Sequence, residues 1–464
     1  MPYWEDITVN EAQQRKEQVL NGLLAEDCYH NLSEPYTLEE RMGHYHTPGC
    51  SIAVIKDGKI DWAASFGVRR MSTGEPVTPN ILFQAGSVSK PTFALAVMRL
   101  YEQGLLDIDA DVNTYLKSWK VPDFGGISPR ITLRQILGHV AGLTVNGFLG
   151  YLQTQKIPTV PQILDGKEPA NSPAVRVDIL PGTQFRYSGG GTTVAQLAVT
   201  DLLERELPDI MQELVLGPVG MEKSGYFQPL PESLRAQAAT GHPFNCTEIA
   251  GGWHVHPELA AAGLWTTPTE LAHLGIHLQN CLAGKAGILT KESMEIMTTP
   301  YIESNMGVGY FTEGIGENAR FGHTGWNEGY VTKFLMYKYK GLGVVIMLNS
   351  NEGKDLMLEI ERAIARVYGW PGYFSGDPTA AGSANPVFAG EYCTEFGTKL
   401  AVCACREQLT LTMGTLVNVP LVPVGERRFA VQRLNTVLLF HPLENSCPRL
   451  TIEQSERRVE AARV

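Results

Sequence analysis

Two short apolar runs flank the dipeptide Asp57-Gly58: Cys50-Ser51-Ile52-Ala53-Val54-Ile55-Lys56 before it and Lys59-Ile60-Asp61-Trp62-Ala63-Ala64 after it. Asp-Gly is a favoured two-residue turn, so the pattern predicts a β-hairpin. Upstream, residues 11–25 are polar with apolar positions at Val19, Leu20, Leu23 and Leu24, as in an amphipathic helix packed on the outside of a domain. Helical patterns dominate from Ser87 to about Leu282, with irregular segments between them. Strand patterns return at residues 307–311, 329–337 and 343–349, and residues 352–368 read as a closing helix. Strands early and late with helices between them predict an α+β fold. One antiparallel sheet, flanked by helices, is built from both ends of this region, with a helical lobe inserted over roughly residues 105–285. A site is expected in the cleft between sheet and lobe.

Residues 375–386, Ser-Gly-Asp-Pro-Thr-Ala-Ala-Gly-Ser-Ala-Asn-Pro, have a linker composition. Beyond them, short alternating runs at residues 400–402, 409–412, 429–431 and 437–440 fit a small antiparallel sheet or barrel-like domain. The expected division is a catalytic domain at 1–374, the linker at 375–386, and an all-β domain at 387–464 without a catalytic-looking cluster. No internal repeat is visible.

The chain has 464 residues, 44% of them hydrophobic, enough for a large core and an appendage. The net charge of −11 and the lack of any basic cluster argue against nucleic acid as a partner. No stretch is long enough to span a membrane, and Met1-Pro2-Tyr3-Trp4-Glu5-Asp6 has neither the basic nor the apolar region of a secretory signal. A cytoplasmic location is expected, with a mature secreted form as the alternative. The eight cysteines are spread thinly, as buried thiols of a reducing compartment are. Cys403-x-Cys405 with Cys393 and Cys447 has the outline of a metal knot. It lacks a Cys-x-x-Cys pair, and the pairs His44/His46 and His254/His256 lie far away in sequence, so alternating strand residues are the expectation. No metal and no cofactor are expected.

Three segments carry chemistry. In Gly86-Ser87-Val88-Ser89-Lys90-Pro91 a hydroxyl and an amine stand three residues apart as a helix begins, on one helical face. A lysine held neutral by burial can activate such a serine as a nucleophile. The plain alternative is an ordinary helix start with Ser87 as N-cap and Lys90 in solvent. Tyr187, where the loop Ser188-Gly189-Gly190-Gly191 begins, places a phenol that could relay protons, or simply a core tyrosine before a glycine turn. His323-Thr324-Gly325, ahead of a strand, could present a polar side chain and free N–H groups to a bound carbonyl, or could be a satisfied histidine in a turn.

Together these segments resemble the serine β-lactamase and penicillin-binding-protein superfamily, whose signatures include Ser-x-x-Lys with a Lys-Thr-Gly strand. Order and form are similar to the class C branch, with Ser-x-x-Lys, Tyr-x-Asn and a Lys/His-Thr-Gly triplet. That branch holds class C lactamases, D-stereospecific peptidases, family VIII esterases and transesterases. Leu133-Arg134-Gln135-Ile136-Leu137-Gly138-His139-Val140-Ala141-Gly142-Leu143 resembles its Leu-Leu-x-His-x-Ser-Gly-Leu segment. Ala262-Gly263-Leu264-Trp265-Thr266-Thr267-Pro268-Thr269-Glu270-Leu271 resembles its Gly-Leu-x-Ser-Thr-x-x-Asp-Leu segment. The likeness runs from about Gly49 to Tyr368, with His139 expected to be structural.

The resemblance implies that Ser87 is acylated, Lys90 is its general base or proton shuttle, and Tyr187 carries the proton toward the leaving group. It implies an oxyanion hole from the backbone N–H groups of Ser87 and Trp326, with His323, Thr324 and Gly325 lining the substrate site. Two departures stand out. His323 replaces the lysine of the lactamases, and Gly189 replaces the asparagine that contacts a substrate amide. Both point away from a potent β-lactamase and toward a serine hydrolase of esterase or D-amino-acid peptidase type, acting on a small ester or amide. Two alternatives use the same serine. One is an acyltransferase or peptide cyclase, favoured by a wide apolar entrance that Trp253, Trp265, Trp326 and Phe148 could line, although core packing is the expected use of each. The other is a penicillin-binding sensor without fast turnover. The oligomeric state is not encoded in any pattern recognised.

Overall fold

The computed structural model describes residues 3–25, 35–302, 304–373, 386–405, 408–414, 416–431, 434, 436–441, 449–454 and 457–464. Most of the expected linker, residues 375–385, and Cys28 and Cys447 lie outside the described residues. The chain packs as two compact units. One comprises Arg41–Glu313 and Ala319–Met357; the other comprises Met1–Glu40, Gly314–Asn318 and Leu358–Val464.

The larger unit is built on a seven-stranded antiparallel sheet. Its strands are β1 (Gly49–Lys56), β2 (Lys59–Arg70), β3 (Glu75–Pro76), β4 (Phe311–Glu313), β5 (Arg320–Asn327), β6 (Tyr330–Tyr337) and β7 (Gly343–Leu348), in the order β3-β2-β1-β7-β6-β5-β4. The β1–β2 hairpin forms because Asp57 and Gly58 both take positive φ, 53° and 69°, whose twist matches that of paired strands. Strand β1 then pairs with β7, Cys50 opposite Leu348 and Ile52 opposite Ile346, so strands almost 300 residues apart in sequence share one sheet. Both strands are buried along nearly their whole length, which explains their continuous apolar runs.

Helix α1 (Ser89–Glu102) follows a 3₁₀ turn at Gly86–Val88. Ten of its first ten residues, Ser89 to Met98, are buried, so it is a core helix rather than an amphipathic surface one. Helices α2 (Gly189–Leu203), α3 (Leu259–Ala262) and α4 (Pro268–Leu282) follow. Helix α4 lies on β1, β6 and β7, and α3 packs against both α1 and α2. One apolar cluster, from Phe83 and Phe93 to Trp265 and Met347, joins sheet and helices.

Two element boundaries differ from the sequence pattern. The helix expected at 11–25 runs from Tyr3 to Leu20; Gly22 follows its end, and Leu23 pairs with Tyr36 as an isolated bridge. The strand expected at 307–311 begins only at Phe311. Gly309 takes a φ of +93° in a turn there, and Val308 and Tyr310 are buried without belonging to a strand.

The other unit holds the helix Tyr3–Leu20 and a closed barrel of eight antiparallel strands in sequence order. These are β8 (Gly390–Thr394), β9 (Lys399–Cys405), β10 (Gln408–Met413), β11 (Leu416–Gly425), β12 (Arg428–Val431), β13 (Val437–Phe440), β14 (Arg449–Gln454) and β15 (Arg457–Arg463). Side chains including Tyr392, Leu409, Phe429, Phe440 and Leu450 fill its interior, and Phe388 stacks on Phe440 at 4.4 Å. Helix α5 (Lys354–Val367) follows β7.

Candidate active site

The start of α1 sets the geometry. Gly86 takes a φ of +52°, and a Cβ there would lie 2.5 Å from the backbone nitrogen of Trp326. Across the same contact, a Cβ on Gly325 would lie 1.9 Å from the carbonyl oxygen of Ala85 and 3.3 Å from the backbone nitrogen of Ser87. Only glycine fits at either position, so two backbones meet directly and β5 is drawn against the turn that carries Ser87. Beyond Gly322, strand β5 has β6 on one side and, among the described residues, no partner strand on the other, because β4 pairs only with Arg320–Gly322. The edge carrying His323 to Trp326 therefore faces the turn that carries Ser87 rather than another strand.

Ser87 is partly exposed, whereas Lys90 is only 4% exposed. The Lys90 Nζ donates to Ser87 Oγ at 2.8 Å and to the carbonyl of Ala261 at 2.8 Å. Neither contact matches a helix start with a solvated lysine, and the residue preceding α1 is Val88, with no side-chain cap. Ala261 belongs to α3, whose first turn is held from α2. Gln196 accepts from the Ala260 N–H at 2.8 Å and donates to the Pro257 carbonyl at 3.2 Å. Ser89 Oγ donates to the Gly86 carbonyl and accepts from the Leu264 N–H, tying the serine turn to the segment after α3.

Tyr187 stands just before α2. Its ring centroid is 5.1 Å from Lys90 Nζ, 4.2 Å from the ring of His139 and 6.0 Å from that of His323. Ser188 caps α2, accepting from the Gly191 N–H at 2.8 Å and donating to the Thr144 carbonyl at 2.7 Å. His139 accepts the Ser188 N–H on Nδ1 at 3.1 Å. Burial, with Lys90 nearby, holds His139 well below the usual imidazole range, so it is a neutral support for the Tyr187 loop.

His323 is also neutral. Burial first, then the charge of Lys90, pushes it down to about 3. Its Nδ1–H donates to the Thr324 carbonyl at 2.5 Å, which leaves Nε2 as a buried lone pair without a partner among the described residues.

Ser87, Lys90, Tyr187, His323, Thr324, Gly325 and Trp326 all line one pocket of about 800 Å³. Gly189 does not line it. A Cβ at Gly189 would lie 3.0 Å from the carbonyl oxygen of Asn146 and 3.3 Å from the Phe148 ring, so the loop at 146–149 occupies the space an asparagine side chain would need. Trp253 and Trp265, considered above for an apolar entrance, are core residues 2% and 0% exposed, packed edge to face at 5.3 Å. Trp326 and Phe148 do line the pocket, with Phe311, Val331 and Met357.

Several site residues carried no sequence signal. Asn327 donates to Gln84 at 2.7 Å and to the Ala262 carbonyl at 3.0 Å, pinning the end of β5 to α3. Asn351, after β7, accepts from the Trp326 indole N–H at 2.9 Å. Neither amide belongs to a recognisable motif, and only the folded chain brings their partners within reach.

A family model described as Beta-lactamase matches residues 37–369. Penicillin-binding protein 4* of Bacillus subtilis (strain 168) is 22% identical over 465 residues, covering 92% of this chain and 97% of that protein. Esterase EstB of Burkholderia gladioli is 25% identical over 312 residues, 62% of this chain and 75% of that protein. Among solved structures, the octameric penicillin-binding protein homologue from Pyrococcus abyssi aligns with a TM-score of 0.60 at 22% identity, over 91% of this chain and 98% of that one. That likeness is one of fold.

Proposed function

We propose, from the premise that this chain belongs to the beta-lactamase family, that it is a serine hydrolase working through a Ser87 acyl-enzyme on a small ester or amide. The observation that carries this reading is the 2.8 Å contact between a buried lysine amine and a serine hydroxyl that line one pocket. Ser87 Oγ attacks the substrate carbonyl while its proton passes to the lone pair of Lys90 Nζ. The oxyanion of the tetrahedral intermediate accepts from the backbone N–H groups of Ser87 and Trp326, on the two backbones that meet at Gly86 and Gly325. Tyr187, beside Lys90, relays the proton to the leaving group as the carbonyl reforms. Water then takes the reverse path and releases the acid. His323, Thr324 and Gly325 form the pocket edge along which the substrate lies. Asn146, which lines the same pocket, carries the kind of carboxamide that Gly189 lacks.

A neutral His323 offers no positive charge for a substrate carboxylate. This favours esters and simple amides over β-lactams bearing an acid. The test is a panel of p-nitrophenyl esters, D-amino-acid amides and nitrocefin, run on wild type and Ser87→Ala. We expect ester turnover in wild type, weak nitrocefin turnover, and loss of at least about a thousandfold in the variant, with a fluorophosphonate mass shift on Ser87 alone. Equal turnover by the folded variant refutes the reading. The apolar wall of Phe148, Leu149, Phe311, Trp326, Val331 and Met357 favours a second reading, acyl transfer to an amine or alcohol. A competing amine in the same assay diverts product if that reading holds.

A further inference from the structure

We propose that the carboxylate of Glu328 and the face of the Trp326 indole, locked together by Asn351 at the pocket wall, form a subsite for an ammonium group on the substrate. The proposal deepens the acyl-enzyme reading by naming a substrate class.

Two lysines and one carboxylate line the pocket: Lys90, Lys354 and Glu328. Lys90 is engaged with Ser87 and Ala261. Glu328 sits half-buried in the turn between β5 and β6, and forms no ion pair among the described residues. Its one hydrogen-bond partner there is a neutral amide, the Asn351 Nδ2, at 3.0 Å from Oε1. The same Asn351 accepts on Oδ1 from the Trp326 indole N–H at 2.9 Å and from the Gly329 N–H at 2.6 Å. One side chain thus fixes an anion and an aromatic ring relative to each other. The indole nevertheless stays 66% exposed. A ligand cation would supply the counter-charge that this carboxylate lacks among the described residues. A carboxylate beside an open indole face is a cation receptor: it combines a charge-assisted hydrogen bond with a cation–π contact.

The rest of the pocket agrees. His323 stands where the resembled lactamases carry lysine, and its neutral ring removes a charge that would repel a cation. Lys354, in the first turn of α5, is exposed and makes no bridge to Glu328 among the described residues, so the carboxylate is not already neutralised. Position along the strand bears on the substrate. Glu328 lies three residues beyond Gly325, whose backbone abuts Ser87. At up to about 3.3 Å per residue this is at most about 10 Å from the backbone beside Ser87. The geometry suits an ammonium several bonds from the reacting carbonyl better than an α-ammonium.

The test uses two matched pairs on the full chain. The distal pair is p-nitrophenyl 6-aminohexanoate and p-nitrophenyl hexanoate. The α pair is D-phenylalanine p-nitroanilide and 3-phenylpropionic p-nitroanilide. For each, the ratio of kcat/KM for the charged over the neutral substrate is compared between wild type and Glu328→Gln, which keeps an acceptor for Asn351. The distal ratio is expected to fall about tenfold, and to fall in wild type as ionic strength rises. A fall confined to the α pair also supports the subsite and identifies the α-ammonium as its ligand. Unchanged ratios in both pairs overturn it. A second arm is independent of acyl chemistry. In the Ser87→Ala background, calorimetry compares 4-phenylbutylamine with 4-phenylbutanol. The amine is expected to bind more tightly, by a margin that Glu328→Gln removes. If no substrate acylates wild-type Ser87, the hydrolase reading fails while this arm still judges the subsite: equal affinities for amine and alcohol reject it.

Discussion

Glu258 shows how one buried side chain sets a pH response. It is fully buried just before α3, and neither carboxyl oxygen has a partner among the described residues. Burial pushes it up to about 8. The unfolded chain releases this proton near pH 4.3. Its stabilising contribution is therefore full below that pH and is lost as pH rises toward 8. His256 and His323, pushed down to about 3 chiefly by burial, act in the opposite sense. The unfolded chain takes up protons there that the folded chain refuses, so stability rises from about pH 3 to about pH 6.5. Thermal melting against pH checks this. Wild type should lose more melting temperature than Glu258→Gln between about pH 5 and pH 8, and parallel curves would contradict it. None of these groups announced its environment in the sequence, because burial is a property of the packed chain. Ser87, Lys90 and Tyr187 were legible for a different reason: hydroxyl, amine and phenol are chemically marked residue types in ordered motifs.

Among the elements, the contact between β5 and the turn at Gly86–Val88 decides the site. Its cost is easy to probe. In Gly325→Ala the new Cβ would overlap the carbonyl of Ala85. Strand β5 must then move away from Ser87, and the two N–H groups no longer converge. We expect a destabilisation of about 1–3 kcal/mol and a loss of ester kcat/KM of about a hundredfold. Melting temperature and kcat/KM on one ester separate the two effects. Wild-type turnover in the variant would show that the close approach is dispensable. The β1–β2 hairpin was readable because Asp57-Gly58 is a local signal whose turn type is chosen by its own two residues. The strand at Phe311–Glu313 was misplaced because Val308 and Tyr310 are buried by neighbours, not by strand pairing. Apolar pattern reports burial and leaves its cause open.

The eight-stranded barrel carries its own apolar core. The barrel core centres on Phe440, which is 1% exposed and touches the rings of Phe388, Tyr392 and Phe429. Phe440→Ala should cost about 3–5 kcal/mol in the unit that contains it. Chemical denaturation followed by circular dichroism measures this, and a shift below about 1 kcal/mol would mean the barrel interior refills. That an all-β segment occupies the C-terminal part was legible from short alternating runs. That its eight strands close into a barrel was not, because closure depends on β8 pairing with β15, Tyr392 opposite Arg463, across the whole segment.

Local chemistry, then, was written in the order of residues: the turn at Asp57-Gly58, the Ser-x-x-Lys face, the apolar runs and the family they resemble. These depend on neighbours within a few positions, where covalent spacing dictates what can meet. Long-range packing decided the rest. It buried Lys90 against Ala261, neutralised His323, closed off Gly189 behind the Asn146 loop and placed Asn351 between Trp326 and Glu328. Each of those contacts joins segments far apart in the chain, and their partners are selected by the tertiary fold as a whole rather than by any local pattern.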